Sequence, residues 1–212
     1  MYLKDEKLIF VHATKTGGST IAAGLLEKSI KRFKFSTYRK VPAQYRGQYL
    51  INDKFKHATA EQLQRKITFK YWNECHKFAM IRNPWDRFVS MLVWRSRPHK
   101  HGQFKKLFRD AELKLFQKRV KQEHTYFTLT RYLCKDNKLL VDEVYDLDNI
   151  ETALQKYDIE NRNRKRLNSK YWLETFEKHD YQKLDDIVNC IYRDDIEFFD
   201  YSRPSWLEQK LD

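Results

Sequence analysis

Two short apolar runs, each followed by a polar loop and then by apolar residues at helical spacing, organise the chain. Leu8-Ile9-Phe10-Val11 is β-prone and unbroken, the polar segment His12 to Thr20 follows, and Ile21, Ala22, Leu25, Leu26 and Ile30 then recur as one stripe among good helix formers. The pattern predicts a buried strand, a tight loop and a helix. Phe78-Ala79-Met80-Ile81, Arg82 to Arg87 and Phe88 to Trp94 repeat it. In this second unit Asn83 is a good N-cap, Pro84 stands at the first helical position where proline is tolerated, and Asp86 falls where its carboxylate complements the helix dipole.

Weaker patterns lie between and beyond. Lys31 to Ile51 mixes cations with Tyr and Phe and has no clear period. Thr59-Ala60-Glu61-Gln62 reads as a capping box that opens a short helix directly after His57. Phe104, Leu107, Phe108, Ala111 and Leu115 share one stripe, which predicts a helix continuing past Tyr126 toward Leu133. Leu139 to Val141 with Val144-Tyr145 reads as a third strand region, and Asp148 is expected to cap a helix with Ile150, Ala153, Leu154 and Tyr157 on one face. A basic segment, Asn161 to Lys170, precedes a last helical region ending near Tyr192. Strands separated by helices, with no repeat and no linker, predict one α/β domain over residues 1–212 with a central, largely parallel sheet flanked by helices.

Composition narrows the function classes. With 41% hydrophobic and 15% aromatic residues the chain can build a core, so disorder of the whole is excluded. Only 5 of the 212 residues are glycine, which makes the adjacent Gly17 and Gly18 a deliberate feature. Cys75, Cys134 and Cys190 are odd in number and widely spaced, which argues against a disulfide scaffold or a structural zinc and suits a reducing compartment. No apolar run approaches a membrane span, and the acids near the start do not suit a signal peptide, so a cytoplasmic location is expected. The net charge of +13 predicts an anionic partner; nucleic acid, a phosphorylated cofactor and an acidic glycan all qualify.

The first loop is where an anion would bind. Backbone N–H groups at a helix N-terminus lack intrahelical partners, and glycines let a ligand approach the main chain. Gly17, Gly18, Ser19 and Thr20 supply backbone and hydroxyl donors, and Lys15 adds a movable positive charge. A Walker A loop places its glycines before the lysine, whereas Lys15 precedes Gly17-Gly18, which disfavours an ordinary P-loop NTPase. Arg82 at the second strand end offers a planar fork suited to phosphate, and Ser90, on the following helix with Arg87 and Trp94, offers a hydroxyl.

The segment Phe10 to Thr20 resembles the 5′-phosphosulfate loop of sulfotransferases that use 3′-phosphoadenosine 5′-phosphosulfate (PAPS), whose usual form is Pro-Lys-Thr-Gly-Gly-Thr/Ser. Ile81 to Ser90 is similar to that superfamily's 3′-phosphate motif, an Arg at a strand end with a Ser eight residues later. Lys56 to Ala60, Leu167-Asn168-Ser169 and Arg193 to Phe199 resemble segments of the carbohydrate-type branch that includes heparan sulfate 2-O-sulfotransferase. Two positions depart from the pattern: Thr14 replaces the usual proline, and Asp200 stands where glycine is usual.

The resemblance implies a P-loop-like three-layer domain and an enzyme that moves a sulfuryl group from PAPS to a hydroxyl acceptor, with no metal demanded, since the transferred group carries less charge than a phosphoryl group. It implies that Lys15, Thr16, Gly17, Gly18, Ser19, Thr20, Arg82 and Ser90 bind the nucleotide, with Lys15 also neutralising the leaving group. His57 matches the histidine of the glycan branch and is the expected general base, Glu61 is the runner-up, and His12 is expected to be structural. An anionic carbohydrate is the expected acceptor. A small-molecule kinase of the P-loop type and a non-catalytic basic nucleic-acid-binding protein remain open as alternatives.

Overall fold

A computed structural model of the chain describes residues 1–29, 57–96, 108–109, 113–160 and 173–212. The expectations placed on Ile30, on Lys31 to Ile51, on Lys56, on Phe104, Leu107 and Ala111, and on Asn161 to Lys170 lie outside these residues. The strands are β1 (Tyr2–Leu3), β2 (Leu8–Val11), β3 (His76–Ile81), β4 (Cys134–Lys135), β5 (Lys138–Leu139) and β6 (Glu143–Asp146). The helices are α1 (Gly18–Ser29), α2 (Ala60–Lys66), α3 (Phe69–Glu74), α4 (Pro84–Ser96), α5 (Leu113–Gln122), α6 (Leu129–Leu133), α7 (Ile150–Lys156), α8 (Lys178–Ile191), α9 (Arg193–Phe198) and α10 (Ser205–Leu211). They gather into two compact units, one of Met1–Ile81 with Leu129–Arg164, the other of Arg82–Thr128 with Lys165–Asp212.

The first unit is built on a sheet of order β1-β2-β3-β6. β2, β3 and β6 are parallel and β1 is antiparallel to β2, so the mixed α/β class and the mostly parallel sheet match the expectation. All four residues of β2 are buried, the signature of a strand covered on both faces. Phe10, Phe78 and Met80 of the sheet pack with Ile21, Leu25 and Leu26 of α1 and with Ile150 and Leu154 of α7. Burying each such side chain contributes about 1.5–3 kcal/mol. Tyr157 stacks on Phe78 with ring centroids 4.0 Å apart, completing the predicted apolar face of α7.

Among the described residues, left-handed backbone falls mainly on residues other than glycine, in keeping with the scarcity of glycine. Asp136 and Asn137, both at positive φ, form the two-residue turn between β4 and β5, a type I′ hairpin. This hairpin takes Leu139 away from the central sheet, so the expected third strand region is two elements, β5 and β6. Asp158 and Asp200 occupy the left-handed position after α7 and α9. There the amides of Ile159 and Tyr201 donate back to the carbonyls of Leu154 and Ile196, closing each helix with a Schellman motif. This gives a physical reason for the glycine usual at position 200: the site needs positive φ, which aspartate tolerates better than most residues. The expected cap at Asp148 falls two residues earlier, where the Asp146 carboxylate accepts from the Asp148 amide at 2.9 Å and a 3₁₀ turn, Leu147–Asn149, precedes α7.

In the second unit Trp85, Phe88, Val89 and Leu92 of α4 pack with Tyr181, Leu184, Ile187 and Val188 of α8 and with Leu207 of α10. Buried Asp185 accepts from Trp85 Nε1 at 2.7 Å and from both Nε and Nη2 of Arg203, at 3.1 and 2.6 Å. The expected stripe through Leu115 is displaced by one residue. Phe116 is the buried side chain of α5, against Phe88 at 5.3 Å, and Leu115 is exposed. A 3₁₀ turn at His124–Tyr126 separates α5 from α6, so the helix does not run on to Leu133. No helix among the described residues is long and apolar enough to cross a membrane.

An ionic cluster at the start of β6 makes the first unit acid-sensitive. Glu143 accepts from Lys156 and from the Tyr145 hydroxyl, with His76 Nε2 at 3.3 Å, and these partners, Lys156 foremost, hold its carboxyl at about 2 instead of the ordinary 4.5. A depressed carboxyl stabilises the fold above the unfolded value and loses that contribution as pH falls through the folded one. Thermal midpoints of the parent are therefore expected to fall more steeply between pH 4.5 and about 2 than those of Glu143→Gln, which starts lower at neutral pH.

Candidate active site

The loop from β2 to α1 is shaped by its own backbone. The Thr16 hydroxyl donates to the Ala13 carbonyl at 3.0 Å, and the Thr20 amide donates to Gly17 O at 2.9 Å to begin α1. Lys15 has φ +65° and Gly17 φ +77°, with Thr16 between them outside the positive region. Such alternation turns successive N–H groups toward a common concavity, the geometry of an anion nest. A Cβ on Gly17 would be driven into Leu147 Cδ1 and would also meet the unfavourable φ. A Cβ on Gly18 would be driven into the His12 ring, 2.7 Å from Nε2. The two glycines are thus required for different reasons, one by conformation as well as space, the other by space alone.

What each loop residue can offer an anion follows. Thr16 is fully buried and its hydroxyl proton is committed to Ala13, so its side chain holds the loop closed. Lys15, Gly17 and Thr20 are half-buried and Ser19 is exposed. The first turn of α1 carries no acid of its own to oppose an anion at the positive end of the helix dipole. A loop with glycines and main-chain donors at a helix start is a general place for an anion.

His57 belongs to the same unit. Its Nδ1 lies 3.0 Å from the His12 carbonyl oxygen, and the two imidazole rings meet edge to face with centroids 4.6 Å apart. His12, almost fully buried, stacks on Phe10 at 5.5 Å and abuts Gly18. Forty-five residues separate His57 from His12 in the chain. The Thr59 box sets where α2 begins: Thr59 Oγ1 accepts from the Gln62 amide at 3.2 Å, and Gln62 Oε1 accepts from the Thr59 amide at 2.9 Å. Glu61 is engaged by Arg65 at 2.7 Å and by Lys135 at 3.7 Å.

Arg82 and Ser90 belong to the second unit, both half-buried. As expected, Asn83 caps α4: its Oδ1 accepts from the Trp85 amide at 3.1 Å, while its Nδ2 donates to Ser202 O at 3.0 Å. Arg87 lies one turn before Ser90 on α4, on the face the sequence predicts for both. It is buried, paired with Asp195 at 3.7 Å, donates to the Phe127 carbonyl and lies over the Tyr192 ring. Asp195, equally buried, is the partner that sequence reasoning missed. The available signal was an acid inside the otherwise recognised segment Arg193 to Phe199.

No curated protein and no solved structure matches the chain. The family model described as the sulfotransferase family matches residues 1–142. That match contains the glycine loop, His57, Arg82 and Ser90, whereas the Arg193 to Phe199 segment lies beyond it. With 142 of its 212 residues matched and both nucleotide motifs inside the match, the chain belongs to the sulfotransferase family, whose members normally use PAPS.

Proposed function

We propose that this sulfotransferase acts on a hydroxyl of an anionic carbohydrate, as one functional domain, with the 5′-phosphosulfate of PAPS taken by the loop Lys15 to Thr20 and the 3′-phosphate by Arg82 and Ser90. The observation that carries the reading is the contact chain from His57 through His12 to Gly18, which ties the candidate base to the anion loop. PAPS supplies a sulfuryl group on a phosphate leaving group. His57 takes the acceptor hydroxyl proton as the acceptor oxygen bonds to sulfur in line with the breaking bond to the 5′-phosphate. Lys15 and the loop amides stabilise the charge that develops on the leaving phosphate, by the same electrostatic logic that governs phosphoryl transfer. Thr16 keeps those amides in place through Ala13. The excess of positive charge in the chain supports an acceptor that is itself anionic.

Thermal denaturation with adenosine 3′,5′-bisphosphate tests the nucleotide reading. At about 100 times its dissociation constant the product is expected to stabilise the protein by about 2.7 kcal/mol, with or without Mg²⁺. Stronger stabilisation by ATP with Mg²⁺ would favour a kinase instead.

A further inference from the structure

We infer that the main chain of His12 fixes the tautomer of His57, leaving Nδ1 protonated and making Nε2 the atom that accepts the substrate proton. The inference rests on the reading of His57 as general base. A carbonyl oxygen has no proton to give, so the 3.0 Å contact between His57 Nδ1 and His12 O is a hydrogen bond only when Nδ1 carries the hydrogen. In neutral imidazole one nitrogen is protonated and the other holds the lone pair, so fixing the first assigns the second.

When Nε2 takes the acceptor proton the ring becomes an imidazolium. Its Nδ1–H bond to His12 O persists and strengthens, because a hydrogen bond from a charged donor is stronger than a neutral one. The carbonyl thus stabilises the protonated base without receiving the proton. The His12 ring adds a second constraint by meeting the His57 ring edge to face while itself held between Phe10 and Gly18. Gly18 is the first residue of α1, so the residue that orients the base also packs against the start of the anion loop's helix. His12 is therefore a positioning residue, acting through its carbonyl on the tautomer and through its ring on the orientation of His57.

Long-range proton–nitrogen correlation spectra of the nitrogen-labelled protein, with His57 assigned through its backbone, read the tautomer without any turnover. Neutral His57 is expected to be protonated at Nδ1, both free and with adenosine 3′,5′-bisphosphate. Protonation at Nε2, or comparable populations of the two forms, would overturn the inference. In His12→Ala the carbonyl remains but the ring is gone, and loss of the Nδ1–H signal through exchange with water is expected. His12→Phe, which keeps a ring, is expected to restore the signal, and an unchanged signal in His12→Ala would overturn the role of the His12 ring in orienting His57. Full sulfate transfer by His57→Asn would overturn the base reading itself, whatever tautomer the spectra record.

Discussion

Replacing His57 by asparagine is expected to lower sulfate transfer about 10²- to 10⁴-fold, the range that a positioned general base contributes. The asparagine amide nitrogen can take the place of imidazole Nδ1, so the hydrogen bond to the His12 carbonyl has a donor in the variant. What disappears is the nitrogen lone pair that accepts a proton. Affinity for adenosine 3′,5′-bisphosphate should therefore stay within about twofold, since the proposed nucleotide ligands are untouched and conservative changes away from a contact have small effects. The comparison is between transfer of radiolabelled sulfate from PAPS to desulfated heparin and calorimetric titration with the bisphosphate. Normal transfer with normal binding would move the base elsewhere. Glu61 is the poorer alternative because its carboxylate is already shared between Arg65 and Lys135.

Local signals made the two strand–loop–helix units legible. The run Leu8 to Val11, the paired glycines, the Asn83-Pro84 start and the Thr59 box each specify structure within a few residues, and each forms as its sequence predicts. Expectations failed where a distant partner decides. Phe116, not Leu115, faces inward because Phe88 receives it, and the burial of Arg87 depends on Asp195, more than a hundred residues later, which pairs with it. The hairpin at Asp136-Asn137 was signalled by two residues tolerant of left-handed backbone, yet the apolar run after it reads as a continuous strand. His57 was singled out by resemblance alone; its contact with His12 is a tertiary fact that no spacing in the chain encodes.

Asp195→Ala is expected to destabilise the second unit by about 3–5 kcal/mol, the cost of leaving one member of a buried ion pair without its partner. Arg87 and Asp195 have side-chain exposures of 2% and 0%, so bulk solvent does little to screen the guanidinium left behind. The Phe127 carbonyl and the Tyr192 ring remain, but neither carries the full negative charge that offsets a guanidinium. Asp195→Asn keeps an acceptor and the shape of the side chain, and should cost less than the alanine variant. Replacing both residues together, Arg87→Met with Asp195→Leu, removes the charge problem and should recover most of the loss, because buried pairs exchanged for apolar residues of similar volume are often close to neutral. Urea denaturation of Arg87→Met, Asp195→Leu and the double variant closes the cycle. Single-variant losses below about 1 kcal/mol would show that the pair is not an anchor of this unit. Because Ser90 stands one turn beyond Arg87 on α4, the same series should also separate stability from the proposed phosphate contact. The double variant is expected to regain stability, and its affinity for adenosine 3′,5′-bisphosphate then reports whether α4 needs this particular anchor to present Ser90.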